Sequence, residues 1–342
     1  MNVSLSPVWR TSLDHGIFLP RHPPLLVPGS LIVRAGSVLL RLSLDDGAVE
    51  WSSRLGDRSG DGRWLLVVDD VVVTDVTEYR RGWGGMRTVI SACSLAGELH
   101  WRHQLDTVPE STVAVGLGNR VVVSGLLEGG ETVLFGIDTD SGELSGPELL
   151  PWPLDGFCRT PSRLLAWTRS VRPDQRSLHA VDPLTLSPSP LPATAPASGP
   201  GCWHVTHAGS VVVGVERFSE DGHLARVLDV TSLAQLWTAR VQSDHVAVDD
   251  THLYSVVNDE LTARSARNGE LQWQVPANGA LTMACAGPVL LVRSLGANAL
   301  VRVSDGLTLS KPAEPVSAAA VDSRTILLLR TGSVEKLVLD AA

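Results

Sequence analysis

The chain has 342 residues and a formal net charge of −9, an acidic balance that argues against a surface for binding nucleic acid. The first residues contain neither a basic nor an apolar signal-peptide region, and no apolar run reaches the roughly 20 residues that span a bilayer, so we expect a cytoplasmic protein without membrane contact. Four scattered cysteines without a Cys-x-x-Cys pair indicate reduced core residues, not disulfides or a zinc site.

A strand, a tight turn and a second strand recur along the chain. The clearest copies span residues 39–55, 89–105, 225–241 and 260–276. In the first copy Leu40, Leu42 and Leu44 alternate with polar residues, which places the leucines on one side of a strand. Turn pairs such as Asp-Gly and Asn-Gly supply the positive φ that a short hairpin needs. Each copy therefore predicts an antiparallel β-hairpin.

The length of one repeat indicates four strands. Two further β-rich runs precede most of these hairpins. Trp9, Trp51 and Trp101 are separated by 42 and 50 residues, and Trp237 and Trp273 by 36. Four-stranded propeller blades have a period of roughly 40 to 50 residues. Weaker copies that keep the turn but not the Trp span residues 133–149, 177–192 and 299–315.

The two ends of the chain complement each other. The sequence ends on a third strand and begins, at residues 3–13, with a fourth strand that carries Trp9. We expect residues 3–13 to complete the last blade with residues 315–340, which closes the ring and removes its open edges. Residues 25–312 would form the other seven blades. The prediction is one all-β domain over residues 1–342, a closed propeller of eight antiparallel blades, with seven as the alternative.

The Gly-containing turn followed by Trp resembles the PQQ-like, tryptophan-docking β-propeller repeat, over nearly the whole chain. The resemblance implies that five Trp side chains dock across the seams between blades: Trp9, Trp51, Trp101, Trp237 and Trp273. A buried Trp removes roughly 150 to 250 Å² from water, so each would be a main contact between neighbours. Quinoprotein dehydrogenases carry an adjacent Cys-Cys pair that this chain lacks. We expect no quinone and no other cofactor.

The lengths of the connections predict a functional face. Links between strands one and two, and between three and four, lie on one face of a propeller, here called the short-turn face. The other links lie on the opposite face, here called the long-loop face. Long segments fall on the second face at residues 14–24, 56–63, 76–87, 169–177, 188–202 and 216–223. Loops usually carry function, so we expect the binding site on the long-loop face.

Aromatic and His residues supply the candidates on that face. The binding candidates are Trp64, Tyr79, Trp83, Trp152, Trp203, His22 and His204. Exposed Trp near Arg is typical of interaction hot spots, although Trp64, Trp152 and Trp203 could equally plug the channel mouth. Tyr79 and Trp83 belong to residues 78–87, which predict either a partner-binding hairpin tip or a solvated one.

Catalytic signals are weak. The sequence has no GxSxG, Walker or HExxH motif. His204, His245 and Asp244 could act as acid or base only if the fold brings them together. Cys202 and His204 share one side of a predicted strand, but zinc would need ligands from another blade. We therefore expect no metal, and interpret these histidines as structural or solvated.

Two functions remain open. The first is a non-catalytic scaffold that binds a protein or peptide partner through the long-loop face, because propellers serve as rigid platforms and a fold alone specifies no chemistry. The alternative is a small-molecule or carbohydrate site, possibly enzymatic, at the channel mouth of the same face. It would use Trp64, Trp152 and Trp203 for stacking and His204 as a polar group or general base.

Overall fold

The fold comes from a computed structural model. It describes residues 5–13, 24–55, 62–79, 86–105, 107, 112–127, 131–150, 154–161, 163–168, 178–182, 184–189, 204–219, 222–242, 245–277, 280–294, 297–312 and 316–340. These residues form strands and turns and contain no helix. None of the described residues therefore forms a helix long and apolar enough to cross a membrane.

The strands form eight sheets of four. Strand β1 is Leu5–Ser12. Blade 1 has β2 (Leu25–Val27), β3 (Ser30–Ala35), β4 (Val38–Ser43) and β5 (Val49–Arg54). Blade 2 has β6 (Leu65–Val68), β7 (Val71–Tyr79), β8 (Met86–Ser94) and β9 (Leu99–Leu105). Blade 3 has β10 (Val113–Leu117), β11 (Arg120–Leu126), β12 (Thr132–Asp138) and β13 (Leu144–Leu150). Blade 4 has β14 (Leu154–Arg159), β15 (Leu164–Thr168), β16 (Leu178–Val181) and β17 (Pro188–Ser189).

The second half of the ring repeats this order. Blade 5 has β18 (His204–Ala208), β19 (Val211–Ser219), β20 (Gly222–Asp229) and β21 (Gln235–Val241). Blade 6 has β22 (Ala247–Val248), β23 (His252–Val257), β24 (Glu260–Ser265) and β25 (Leu271–Pro276). Blade 7 has β26 (Ala280–Ala286), β27 (Val289–Ser294), β28 (Ala297–Arg302) and β29 (Thr308–Ser310). Blade 8 has β30 (Val316–Ala320), β31 (Thr325–Arg330) and β32 (Ser333–Leu339), with β1 as its fourth strand.

The ring closes as predicted, with eight blades. Strand β1 pairs antiparallel with β32, from Leu5 opposite Leu339 to Ser12 opposite Ser333. The Lys336 ammonium donates a hydrogen bond of 2.8 Å to the Leu44 carbonyl, which ties blade 8 to blade 1. The all-β propeller and its terminal closure are therefore confirmed.

Successive side chains of an inner strand project to opposite sides of the sheet, so one packs against the preceding blade and the next packs against the following blade. In β7, Val72 packs with Ile32 of blade 1, whereas Val73 packs with Val121 of blade 3. Both sides of the inner strands are thus buried, which explains apolar runs such as residues 71–73. The core is a ring of apolar clusters, one at each seam.

Five seams contain a docked Trp, as the PQQ-like resemblance implied. Each indole N–H donates to a carbonyl in the three-to-four turn of the next blade: Trp9 to Leu44 (3.1 Å), Trp51 to Leu95 (2.8 Å), Trp101 to Thr139 (2.8 Å), Trp237 to Ala266 (2.9 Å) and Trp273 to Val303 (2.7 Å). The ring covers the Gly of that turn. A Cβ added at Gly97 would lie 2.8 Å from Cδ2 of Trp51, so the seam requires Gly there.

Two segments interpreted as loop insertions are largely strand. Strands β7 and β8 stay paired out to Tyr79 opposite Met86, and β19 and β20 out to Ser219 opposite Gly222. The expectation of a loop was wrong for residues 216–219 and 222–223, because the antiparallel pairing of β19 with β20 continues through them. The expectation of a hairpin over residues 78–87 was right for the paired part.

Candidate functional site

Strand topology places the longer connections on one face. The links of residues 13–24, 55–64 and 190–203 all join a fourth strand to the next first strand, and those of residues 80–85 and 169–177 join second strands to third strands. On the opposite face the longest link between two strands of a blade is residues 182–187. The predicted division into a long-loop face and a short-turn face therefore follows from the strand order.

A buried carboxylate organises the long-loop face at blade 2. Asp75 is 1% exposed. Its Oδ1 accepts hydrogen bonds from the backbone N–H groups of Arg63 (2.7 Å) and Trp64 (3.0 Å), and its Oδ2 accepts one from the Thr112 hydroxyl (3.3 Å). One side chain thus holds the end of the 55–64 connection and the start of blade 3.

Arg34 brings blade 1 into the same network. Its Nη1 lies 3.7 Å from Oδ1 of Asp75, and the two side chains are 4% and 1% exposed. The guanidinium also donates to the Thr74 hydroxyl at 2.8 Å, to the Asp75 carbonyl, and to the Gly36 carbonyl at 2.8 Å. A buried charge needs this degree of pairing, because an unpaired one costs several kcal/mol. Three consecutive blades are therefore joined by one polar network.

Trp64 is the predicted binding residue whose side chain the structure describes best. It is 7% exposed and packs with Val68, Val73 and Ile90. Its Nε1 has no hydrogen-bond partner among the described residues. A side chain with so little exposed surface offers little area to a partner, and the structure places Trp64 in the apolar cluster between blades 2 and 3.

The hairpin of β7 and β8 has a rigid base. Two nitrogens of Arg87 donate to Oε2 of Glu78, at 3.2 and 2.8 Å, and Arg102 of β9 donates to the other carboxylate oxygen. Arg87 also donates to the Gln104 side chain. One carboxylate oxygen of Glu78 thus accepts from Arg87 and the other from Arg102, so the carboxylate bonds to guanidinium groups of two strands. Three strands are clamped where the hairpin leaves the blade.

The other predicted residues are described in part or not at all. His245 is exposed in the 242–246 connection. In the strand ladders Tyr79 pairs with Met86, and His204 pairs with Val215. For the two candidates, Tyr79 and His204, only the backbone is described. Residues outside the described ranges are His22, Trp83, Trp152, Trp203 and Asp244. The structure brings no two of the candidate residues into a described contact, so their roles stay predictions. In the described ranges, no three His, Cys, Asp or Glu side chains form a metal-binding group.

Asp75 and Arg34, which form the polar network of this face, were not among the residues predicted from the sequence. Asp75 follows the apolar run of residues 71–73 and Thr74, and Arg34 follows the apolar run of residues 31–33. A charge in such a run predicts a buried partner. That signal could have singled out both residues, but not their pairing across blades.

Buried thiols and a buried phenol are held in their neutral forms. Burial raises the pKa of Cys158 to about 12 and also raises that of Cys93. Burial and the neighbouring Asp249 carboxylate, which accepts the phenol hydrogen bond at 2.7 Å, raise the pKa of Tyr254. Desolvation opposes ionisation of Asp249, but bonds from Tyr254, Thr251 and His252 outweigh it and lower its pKa. None of these groups is poised as a nucleophile.

Charge divides unevenly between the two faces. The links of the short-turn face contain three Arg and thirteen carboxylates: Asp45, Asp46, Asp69, Asp70, Glu98, Asp140, Glu143, Asp182, Asp249, Asp250, Glu270, Asp305 and Asp322. The links of the long-loop face carry thirteen carboxylates and nine Arg or Lys in the sequence. The net negative charge of the connections therefore lies mainly on the short-turn face.

The same face has a rim of exposed apolar side chains. Seven of the ten large apolar residues exposed in the described part of the chain lie in a three-to-four turn or at the start of the outer strand, one per blade: Val49, Leu99, Leu144, Leu184, Leu236, Leu271 and Leu307. Their exposed fractions run from 38% to 69%. A repeated exposed position is unlike the scattered apolar residues of an ordinary surface.

Comparison with known proteins shows the fold. BamB from Moraxella catarrhalis is 16% identical, with a TM-score of 0.64 over 98% of this chain and 99% of that one. The quinohemoprotein alcohol dehydrogenase ADHIIG from Pseudomonas putida HK5 is 12% identical, with a TM-score of 0.63 over 99% of this chain and 77% of that one. The chain has a PQQ-like β-propeller fold. Sqt1 from Saccharomyces cerevisiae is 10% identical, with a TM-score of 0.64 over 99% of this chain and 100% of that one.

Comparisons of sequence add nothing to this assignment. No protein-family model and no curated protein matches the chain. At these identities the likeness of the PQQ-like propeller to its structural neighbours concerns the fold alone.

Proposed function

We propose that the protein is a non-catalytic scaffold whose long-loop face binds a protein or peptide partner. The observation that carries the proposal is the clamped hairpin of β7 and β8, whose base is held by Glu78, Arg87 and Arg102. The sequence between the two strands, residues 80–85, includes Arg80, Arg81 and Trp83. Arg and aromatic residues dominate binding energy at interfaces, and a rigid base lowers the entropy lost on binding.

The polar network behind the hairpin supports the same proposal. Arg34 and Asp75 join neighbouring blades, and Asp75 also accepts a hydrogen bond from Arg63 at the end of the 55–64 connection. A platform of this kind holds loops in a constant arrangement. The channel-mouth alternative is weaker at one of its residues, because Trp64 is buried and offers little area for stacking on a ligand.

The test compares partner recovery by matched variants. Tagged full-length protein is incubated with native lysate, and the proteins that it enriches are quantified against Trp83→Ala and Tyr79→Ala. We expect one partner to be lost with both. The control is Leu149→Thr, which changes an exposed residue of β13 outside the hairpin.

The affinity of each variant for the purified partner then tests whether the hairpin forms the contact. With the purified partner, Trp83→Ala should weaken affinity by about 30-fold, the size of a hot-spot loss. Glu78→Gln, which removes a charge from the clamp and leaves the tip unchanged, should weaken it less. Equal binding by wild type, Trp83→Ala and Tyr79→Ala would overturn the proposal.

A further inference from the structure

The short-turn face repeats one local arrangement at three seams. Gly-Glu-Leu enters the outer strand of blades 2, 3 and 6 at residues 97–99, 142–144 and 269–271. The Gly is covered by the docked Trp of the preceding blade. The Glu that follows is exposed, and the leucines are 59%, 38% and 45% exposed. Carboxylate, aliphatic side chain and indole therefore recur together.

Strand register places the leucine on the same side of the sheet as the docked indole. Leu99 pairs with Cys93, and Leu144 pairs with Ile137. Residues paired across two strands project to the same side of a sheet. Cys93 packs in the cluster that holds Trp51, and Ile137 packs in the cluster that holds Trp101. The seams at blades 2 and 3 thus each offer an apolar strip, a half-buried indole and an exposed leucine that follows a glutamate in the chain. At the blade 6 seam Leu271 pairs with Arg264 instead.

We propose that these seams bind a basic segment of a partner protein that also carries aliphatic side chains. Arg matches the site best, since its planar guanidinium pairs with a carboxylate and lies against an aromatic face. The aliphatic side chains of the segment cover the leucines. A repeated site binds such a segment at more than one seam, so weak contacts add along the chain.

Charge selects this occupant over others. The links of the face contain thirteen carboxylates and three Arg. Four strand arginines, Arg41, Arg120, Arg264 and Arg302, also bond to these links, and the balance that remains is negative. A negative face repels nucleic acid and the same face of a second copy. A basic polypeptide is attracted by the whole face and bound at the seams. Because the surface lies opposite the long-loop face, this contact is independent of the function proposed above. Together the two faces would bridge two partners.

The experiment uses a fluorescein-labelled peptide in which Arg and Leu alternate, titrated with the full chain and followed by fluorescence anisotropy. A matched peptide with Glu in place of Arg is the ligand control. The test variant is Glu98→Gln/Glu143→Gln. The protein control, Glu131→Gln/Asp259→Asn, removes two carboxylates from the links of the long-loop face. All these side chains lie in links, so circular dichroism and thermal melting should show intact folds.

We expect the test variant to bind the Arg-Leu peptide about five- to tenfold more weakly than wild type, as two surface charge contacts would allow. The control variant should bind it as wild type does, and higher salt should weaken binding by wild type more than by the test variant. Leu99→Thr/Leu144→Thr should also weaken binding. Equal losses in the test and control variants, or equal binding of the two peptides, would overturn the proposal. Trp83→Ala leaves this binding unchanged, which separates it from the long-loop function.

Discussion

The close approach of Trp51 to Gly97 gives a prediction whose size follows from geometry. Gly97 has φ +87°, in the region that side chains with a Cβ rarely adopt. An alanine there would also place its Cβ 2.8 Å from Cδ2 and 3.0 Å from Cε3 of Trp51. Gly97→Ala therefore combines backbone strain with displacement of the indole. The indole would also lose its 2.8 Å hydrogen bond to the Leu95 carbonyl.

The expected cost is the sum of three effects. A residue other than Gly in the left-handed region loses about 1–2 kcal/mol, and one neutral hydrogen bond contributes about 1 kcal/mol. Overpacking a tight contact adds about 1–3 kcal/mol. Gly118→Ala is the matched control, because Gly118 has φ +56° and nothing within 4 Å of the added Cβ. Gly97→Ala should thus lower the free energy of unfolding by about 2–4 kcal/mol more than Gly118→Ala does.

The assay is thermal and urea unfolding of four variants: Gly97→Ala, Gly118→Ala, Trp51→Ala and the double variant Trp51→Ala/Gly97→Ala. At about 2.1 cal/mol/K for each residue, a chain of 342 residues loses roughly 1.4 °C in Tm for every kcal/mol. The gap between the two Gly variants should be about 3–6 °C in Tm. In the Trp51→Ala background Gly97→Ala should cost only its strain. If Gly97→Ala cost no more than Gly118→Ala, the indole would not be what requires Gly at this position.

Three further outcomes follow from the same coordinates. Arg34→Met should destabilise the protein by about 3–5 kcal/mol in urea unfolding, because it leaves the Asp75 charge buried without its cation. Hydrogen bonds from the backbone and side chain of Ser141 lower the pKa of Asp138. The ionised carboxylate therefore stabilises the protein above the unfolded pKa of about 3.9, and this stabilisation is lost as the pH falls through the folded pKa. Asp138→Asn should flatten the acid limb of a plot of Tm against pH. Amide exchange should be faster in β16 than in β8, since β17 pairs only with Ala180 and Val181.

The sequence was sufficient for the ring and its closure because both depend on a repeat. The interval between Trp51 and Trp101, the positive φ of Gly97 and the lone fourth strand near Trp9 each depend on a few neighbouring residues. Local rules therefore predicted the blades and the sidedness of their connections. They could not predict that Arg34 contacts Asp75, because residues 41 positions apart meet only after two blades have packed.

The pairing register of the outer strands is a second feature that the sequence did not predict. Simple alternation would put Leu99 and Trp101 on the same side of β9. A bulge changes this, because Cys93 pairs with Leu99 while its neighbour Ala92 pairs with Trp101, which leaves His100 without a partner in the ladder. Leu99 and Trp101 consequently face opposite seams. The rim at the seams was therefore not visible in the alternation of the sequence, although the repeated Gly-Glu-Leu was.

The distribution of docked Trp makes the ring mechanically uneven. Strands β13, β17 and β29 contain no Trp, so the seams after blades 3, 4 and 7 depend on smaller side chains. At the seam after blade 7, for example, Leu309 and Leu5 both pack against the shared apolar cluster. Two of these weaker seams flank blade 4, whose outer strand has only two residues. The connections of residues 169–177 and 190–203 lie within and just after that blade. Pairing of β1 with β32 closes the ring, and a closed ring cannot open at one seam without straining the others. The arc from blade 8 through blade 3 includes the hairpin of β7 and β8. This hairpin therefore stands on an arc of four blades in which every seam contains a docked Trp.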